Sequence, residues 1–166
     1  MSALSRPRPP RLLLGLGNPL MGDDGVAWHL VERLRSAPRL PPDAEVAWGG
    51  ADLLACAGLL EGRERVVLLD AIEGETPGEV VRLDPWREGL EERSIGAHAL
   101  SVLEALRLLC HTSSDLASTD VLLLGMTVTE VKVGERLSPA LEELLPQVIE
   151  RVLAELPWSS SSRRAW

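Results

Sequence analysis

The chain has 166 residues, which suits a single domain, because one core of this size buries about two-thirds of the surface that the unfolded chain exposes. Its 45% hydrophobic and 25% charged residues are those of an ordinary globular protein, and no apolar run approaches the roughly 20 residues that a membrane-spanning helix needs. The net charge of −8 makes nucleic acid an unsuitable partner, since binding it requires a basic patch that neutralises phosphates.

The two ends of the chain lack a periodic apolar pattern. We predict flexible tails at residues 1–10 and 158–166 around one domain that spans residues 11–157. The first residues contain arginines and prolines but no apolar stretch of signal-peptide length, so we expect a cytoplasmic protein with no membrane contact. In that reducing compartment, Cys56 and Cys110 are interpreted as small buried residues rather than as a disulfide.

Between the predicted tails, apolar runs alternate between strand and helix spacing. In chain order the sequence predicts a strand at 12–15, a helix at 26–34, a strand at 45–48, a helix at 53–60, strands at 66–69 and 80–83, a helix at 100–109, a strand at 121–126 and a helix from 139 to 156. Strands that alternate with helices indicate a parallel sheet covered on both faces. The strand at 80–83 follows its predecessor without a helix, so it is expected to pair antiparallel at an edge. The predicted fold is a three-layer α/β/α sandwich with a mostly parallel five-stranded sheet.

The last predicted helix has a clear N-terminal capping signal but contains a proline. Ser138 is a preferred N-cap residue, and Pro139 at the first helical position needs no hydrogen-bond donor. Pro146 lies inside the same apolar stripe and should kink or split the helix, because it removes a backbone donor and its ring meets the preceding turn.

Candidate chemistry lies at the ends of three elements, where sites gather in open parallel sheets. A glycine-rich loop with Asp23 and Asp24 follows the first strand, Asp70 follows the third, and His98 precedes a long helix. The loop is a poor dinucleotide site, because the third glycine of that fingerprint falls at Leu20 and two carboxylates would repel a pyrophosphate. The residues favour a cation site. Taken singly, however, Asp24 could be only a helix cap and His98 only a helix start.

The sequence of these segments resembles the hydrogenase maturation proteases. Residues 15–25, Gly-Leu-Gly-Asn-Pro-Leu-Met-Gly-Asp-Asp-Gly, are similar to the opening motif of that family. Residues 69–74, Leu-Asp-Ala-Ile-Glu-Gly, resemble its second motif, and residues 97–98 its third. Further similarity falls at Gly125, Met126, Gly134, Leu137, Ser138 and Pro139. The chain departs from the family pattern at Ala27, where a glycine is usual, and near Val128, where a proline is usual.

The resemblance implies a five-stranded twisted sheet between helices and a defined site. It implies that the catalytic and metal-contacting residues are Asp24, Asp70 and His98. The metal is expected to be nickel supplied by the precursor of a [NiFe] hydrogenase large subunit, with no permanent cofactor. The implied activity is that of a monomeric endopeptidase that removes the precursor's C-terminal extension. The alternative is a non-cleaving assembly chaperone that recognises the same metal centre.

Other polar residues are predicted to have structural roles. His29 lies on the polar side of the first predicted helix, and His111 closes a later helix. Both are interpreted as structural or solvated. Asp23 is predicted to support the loop, and Asn18 to stabilise its turn through the side-chain amide.

Overall fold

A computed structural model describes residues 8–86 and 97–156, in which five strands form one sheet. The strands are β1 (Arg11–Leu16), β2 (Ala44–Gly50), β3 (Arg65–Glu73), β4 (Val80–Leu83) and β5 (Asp120–Val128). Most of the two predicted tails lies outside the described residues, so the domain limits at 11 and 157 stay predictions. Within residues 8–10, the Pro9 carbonyl accepts a 2.7 Å hydrogen bond from the buried Arg63 guanidinium, which joins this segment to the domain.

The order of the strands determines where a crevice opens. The sheet runs β2-β1-β3-β5-β4, with parallel pairs everywhere except between β4 and β5. The predicted antiparallel edge strand is therefore confirmed at Val80–Leu83. After β1 the chain crosses to β2 on one side of it, whereas after β3 it crosses towards β5 and β4 on the other side. In open parallel sheets this switch is where ligand sites form, at the carboxyl ends of the strands.

Within the described residues, five helices cover the two faces of the sheet. They are α1 (Val26–Leu34), α2 (Ala57–Leu60), α3 (Ala97–Thr112), α4 (Ser114–Ala117) and α5 (Pro139–Glu155). Alternate residues of each strand enter two separate apolar cores: Leu12 and Leu14 pack on the side of α2 and α3, whereas Leu13 packs on the side of α1 and α5. This arrangement confirms the predicted three layers. None of the helices in the described residues has the length and apolar composition to cross a membrane.

Several elements differ in extent from their predictions, and one element was not predicted. The helix predicted at 53–60 is a 3-10 turn at Leu54–Cys56 followed by the short α2, in keeping with the low helix propensity of Gly58. The strand predicted to end at residue 69 continues to Glu73, because its partner β5 pairs with it residue by residue as far as Val128. Asp70 is thus inside β3 rather than after it. The short helix α4 has no counterpart among the predicted elements.

The split predicted as one outcome at Pro146 does not occur, since α5 is continuous from Pro139 to Glu155. Pro146 is exposed, so the Glu142 carbonyl that loses its backbone donor faces solvent as well. Leu141, Leu145 and Val148 bury the opposite side of the helix and hold it against the sheet.

The N-terminus of α5 is attached to the loop after β1 by a buried carboxylate. Asp23 is 3% exposed, and its Oδ1 accepts a 2.6 Å hydrogen bond from the backbone N–H of Ser138. Its Oδ2 accepts a second bond of 2.8 Å from the Ser138 hydroxyl, which in turn caps α5 by accepting from Leu141 N–H. Asp23 therefore has the supporting role predicted for it.

Removing this carboxylate should destabilise the fold. We expect Asp23→Ala to lower the free energy of unfolding by about 2–3 kcal/mol, because the partly buried Ser138 N–H loses a charged acceptor. Asp115→Ala is the matched control: Asp115 also accepts from one distant backbone N–H, that of Gly62 at 2.7 Å, but is exposed. Urea unfolding of both variants measures the difference, and equal losses would contradict the role assigned to Asp23.

Candidate active site

The loop after β1 is folded tightly against the residues that follow it. Gly17 has a φ of +130°, and a Cβ at this position would lie 2.3 Å from the carbonyl oxygen of Asp24. No side chain can occupy that space, so only glycine allows the loop to return onto the 3-10 turn Gly22–Gly25. The Asn18 side chain stabilises the turn, because its Oδ1 accepts a 3.0 Å hydrogen bond from Leu20 N–H. The predicted role of Asn18 is confirmed.

Asp24 is held by the backbone of the same loop. Its Oδ2 accepts a 2.9 Å hydrogen bond from Asn18 N–H, and the residue is 8% exposed. Backbone donors at a charged acceptor give strong, well-oriented bonds, so the loop fixes the direction of the carboxylate. Asp24 does not cap α1, whose N-cap is Gly25 without a side-chain hydrogen bond. The interpretation of Asp24 as only a helix cap is wrong.

Asp70 reaches the same place from the neighbouring strand. It is 1% exposed, and its Oδ1 accepts a 2.9 Å hydrogen bond from Ala71 N–H. The same Oδ1 lies 3.8 Å from the position that a Cβ on Gly17 would take. Gly17 thus has the Asp24 backbone against it and the Asp70 carboxylate close by. The structure brings together these two of the three predicted site residues at the switch in strand order.

The third residue, His98, lies in the first turn of α3, and its side chain is outside the described residues. The backbone places this turn at the correct end of the sheet. The chain passes from α3 through α4 to Asp120, whose N–H bonds to the Glu64 carbonyl where β3 and β5 begin. The end of α3 therefore lies near the start of β3 and β5, and its first turn lies near the opposite end of these strands, where Asp70 is. Asp70 also belongs to the face of β3 that α3 covers, since Leu68 and Ile72 two residues away pack into that core.

The assignment of Asp24, Asp70 and His98 as metal ligands and catalytic residues stays a prediction. Within residues 8–86 and 97–156, the side chains whose positions are described include no group of three His, Cys, Asp or Glu residues arranged to hold a metal ion. Two carboxylates at one rim nevertheless concentrate negative charge in a partly buried place. Such an arrangement favours a cation over an anion.

The segment after β5 supports the glycine-rich loop, and sequence reasoning did not assign it this role. Gly134 donates its N–H to the Leu20 carbonyl at 2.9 Å and accepts from Gly22 N–H at 2.7 Å. A Cβ on Gly22, whose φ is +56°, would lie 2.8 Å from the Lys132 carbonyl oxygen. The two loops therefore form one backbone-bonded unit. The resemblance noted at Gly134 was the available signal, but spacing alone did not reveal its partner.

The other titratable candidates are His29, His111 and the two cysteines. His29 is half-buried on α1, and burial first, then the nearby Arg33 charge, lower its pKa, while Glu142 acts in the opposite direction. His111 is exposed in the last turn of α3. Cys56 and Cys110 are both free thiols, and burial raises the pKa of each. A thiol whose pKa is raised is a poor nucleophile, which agrees with the structural interpretation of these residues.

The close approach at Gly17 gives a direct test of this geometry. We expect Gly17→Ala to lower the free energy of unfolding by more than about 2 kcal/mol, because it combines an unfavourable φ with a clash against the Asp24 backbone. The control is Gly62→Ala, at a φ of +71° with open space around it, which should cost about 1–2 kcal/mol. Denaturant unfolding measures both, and a Gly17→Ala loss no larger than the control would contradict the close approach.

Comparison with known proteins identifies the family. The family model for hydrogenase maturation proteases matches residues 28–155, a stretch that contains Asp70 and His98 and begins just after Asp24. The hydrogenase 2 maturation protease of Escherichia coli is 28% identical over 148 residues, which cover 87% of this chain and 89% of that protein.

Solved structures agree with this match. The hydrogenase maturating endopeptidase HybD from E. coli superposes with a TM-score of 0.69 at 26% identity, covering 87% of this chain and 90% of that one. The [NiFe] hydrogenase maturation protease HybD from Thermococcus kodakarensis gives 0.69 at 27% identity, with coverage of 86% and 96%. The fold, the enzyme class and the match over most of the chain lead to one conclusion. This chain belongs to the hydrogenase maturation protease family and is a peptidase.

Proposed function

We propose that this peptidase removes the C-terminal extension from the nickel-loaded large-subunit precursor of a [NiFe] hydrogenase. The observation that carries the proposal is the meeting of Asp24 and Asp70 against Gly17 at the switch in strand order. In this proposal the two carboxylates and the imidazole of His98 contact the nickel that the precursor brings. The extension is then positioned beside them and is released by hydrolysis of the peptide bond.

The chemistry of the three side chains supports this assignment. Carboxylate oxygen and imidazole nitrogen are suitable ligands for a borderline divalent ion, and three protein ligands leave positions for groups of the precursor. A site completed only by the partner distinguishes a precursor that has received its metal from one that has not. Such a site needs no permanent metal of its own, so we expect the purified protein to be active towards nickel-loaded precursor without an added cofactor.

The surroundings of the site support a protein substrate. The site lies at the carboxyl ends of β1 and β3, next to the loop that follows β1. A partner of this kind is met in the cytoplasm, where we place the enzyme, as a monomer that docks through this rim. Backbone-held carboxylates are suited to recognising a metal in a folded partner, because little ordering is required when the complex forms.

Cleavage of defined precursors tests the proposal. The large-subunit precursor from the same organism is prepared with and without nickel, incubated with the protein, and weighed by mass spectrometry. We expect only the nickel-loaded precursor to lose its extension. Equal cleavage of the two forms would contradict recognition of nickel, and a stable complex without any mass change would favour the assembly chaperone instead.

A substitution in the site should reduce activity without unfolding the protein. We expect Asp70→Asn to reduce kcat/KM for the nickel-loaded precursor at least about 100-fold, since a charged ligand becomes a neutral amide. Glu64→Gln is the matched control, because Glu64 is an exposed carboxylate next to the opposite end of β3. Thermal unfolding of both variants establishes that they are folded. Full activity of a folded Asp70→Asn variant would exclude this residue from the site.

A further inference from the structure

A groove with an apolar floor lies between α3 and the segment that follows β2. Its walls include Leu54 on one side and Val102 and Leu108 on the other. Leu54 is 44% exposed and Leu108 is 52% exposed, although both are large apolar side chains. Neighbouring exposed apolar side chains in a concave surface are typical of a binding site rather than of an inert surface.

The groove begins at the rim that carries the site carboxylates. Gly17 N–H donates a 3.0 Å hydrogen bond to the Gly50 carbonyl, and the next residue, Ala51, is the first of the groove. The opposite wall is α3, the helix whose first turn contains His98. One side of the groove is thus hydrogen-bonded to the loop after β1, and its other side belongs to the helix that contains His98. The end of the groove at Ala51 is therefore next to the loop that carries Asp24.

The charge of the groove indicates which kind of segment fits it. Of the residues that line it in the described part of the chain, Asp52 and Glu104 are carboxylates and none is cationic. Both of these residues are exposed. An apolar floor flanked by two negative charges is complementary to a peptide that carries apolar side chains together with lysine or arginine.

The length of the groove corresponds to a short peptide. The residues of α3 that line the groove run from Val102 to Leu108, over which the helix rises by about 9 Å, at 1.5 Å per residue. An extended chain advances by about 3.3 Å per residue, so this distance holds about three residues. The groove is therefore long enough for the first residues on one side of a scissile bond held at the rim.

We propose that this groove binds the C-terminal extension of the hydrogenase precursor as an extended segment. Apolar side chains of the extension contact Leu54 and Leu108, and a lysine or arginine of the extension lies near Asp52 and Glu104. The inference rests on the proposed function, because it names the surface by which the same enzyme holds its substrate.

Steady-state cleavage of the nickel-loaded precursor tests the groove. We expect the double substitution Leu54→Ser and Leu108→Ser to raise KM about tenfold with kcat unchanged, since the lost contacts hold the substrate without acting in the chemical step. Glu104→Gln should raise KM about threefold at low salt and weaken its dependence on salt concentration. The control is Trp86→Ser, which removes an apolar side chain that is 44% exposed, like Leu54, but lies outside the groove.

A second measurement separates failure of this inference from failure of the proposed function. A fluorescent peptide that copies the extension should bind the wild-type protein, as followed by anisotropy, and the double variant should bind it at least about tenfold more weakly. If the wild type binds the peptide but does not cut the precursor, the groove stands and the proposed function fails. Unchanged KM and unchanged peptide binding in a folded double variant would overturn the groove. A shift in oligomeric state on size-exclusion chromatography would assign the groove to a second copy of the chain and overturn it as well.

Discussion

The contact between Gly17 and the Asp24 backbone determines the arrangement of the site. A Cβ at residue 17 would be 2.3 Å from the Asp24 carbonyl oxygen, so the loop can fold back only because that atom is missing. This return brings Asp24 from the turn after β1 to the carboxyl end of β3. Asp70 is already there, because pairing with β5 extends β3 beyond it. One missing side chain and one long strand pair thus bring together two acids that are 46 positions apart in sequence.

The adjacent residues Asp23 and Asp24 have different roles, which their hydrogen-bond partners show. Asp23 accepts from both the backbone N–H and the hydroxyl of Ser138, which attaches α5 to the loop. Asp24 accepts from Asn18 N–H inside the loop. The backbone bonds between Gly134 and the loop add a second attachment on the same side. The rigidity of the site therefore comes from elements that are distant in sequence, and the proposed nickel-contacting carboxylates are positioned before any partner binds.

Much of the fold follows from local patterns, whereas the site depends on contacts that no local pattern contains. Apolar periodicity predicted every strand and the α1, α3 and α5 helices, and the absence of a helix before β4 predicted its antiparallel pairing. The pattern could not predict how far β3 extends, because Asp70 is polar and only pairing with β5 continues the strand. It could not predict that α5 continues through Pro146, because packing of the opposite face of the helix against the sheet holds the helix together. The partnership of Asp23 with Ser138 spans 115 positions and leaves no trace in spacing.

The central claim is that Asp24, Asp70 and His98 contact a common ion. Crystals of the protein soaked in a nickel salt, with anomalous diffraction recorded at the nickel edge, test this claim most directly. The account predicts one ion at this rim, about 2.0–2.2 Å from a carboxylate oxygen of each aspartate and from a ring nitrogen of the histidine. An ion bound elsewhere, or a rim in which the two carboxylates cannot reach the same ion, would contradict it.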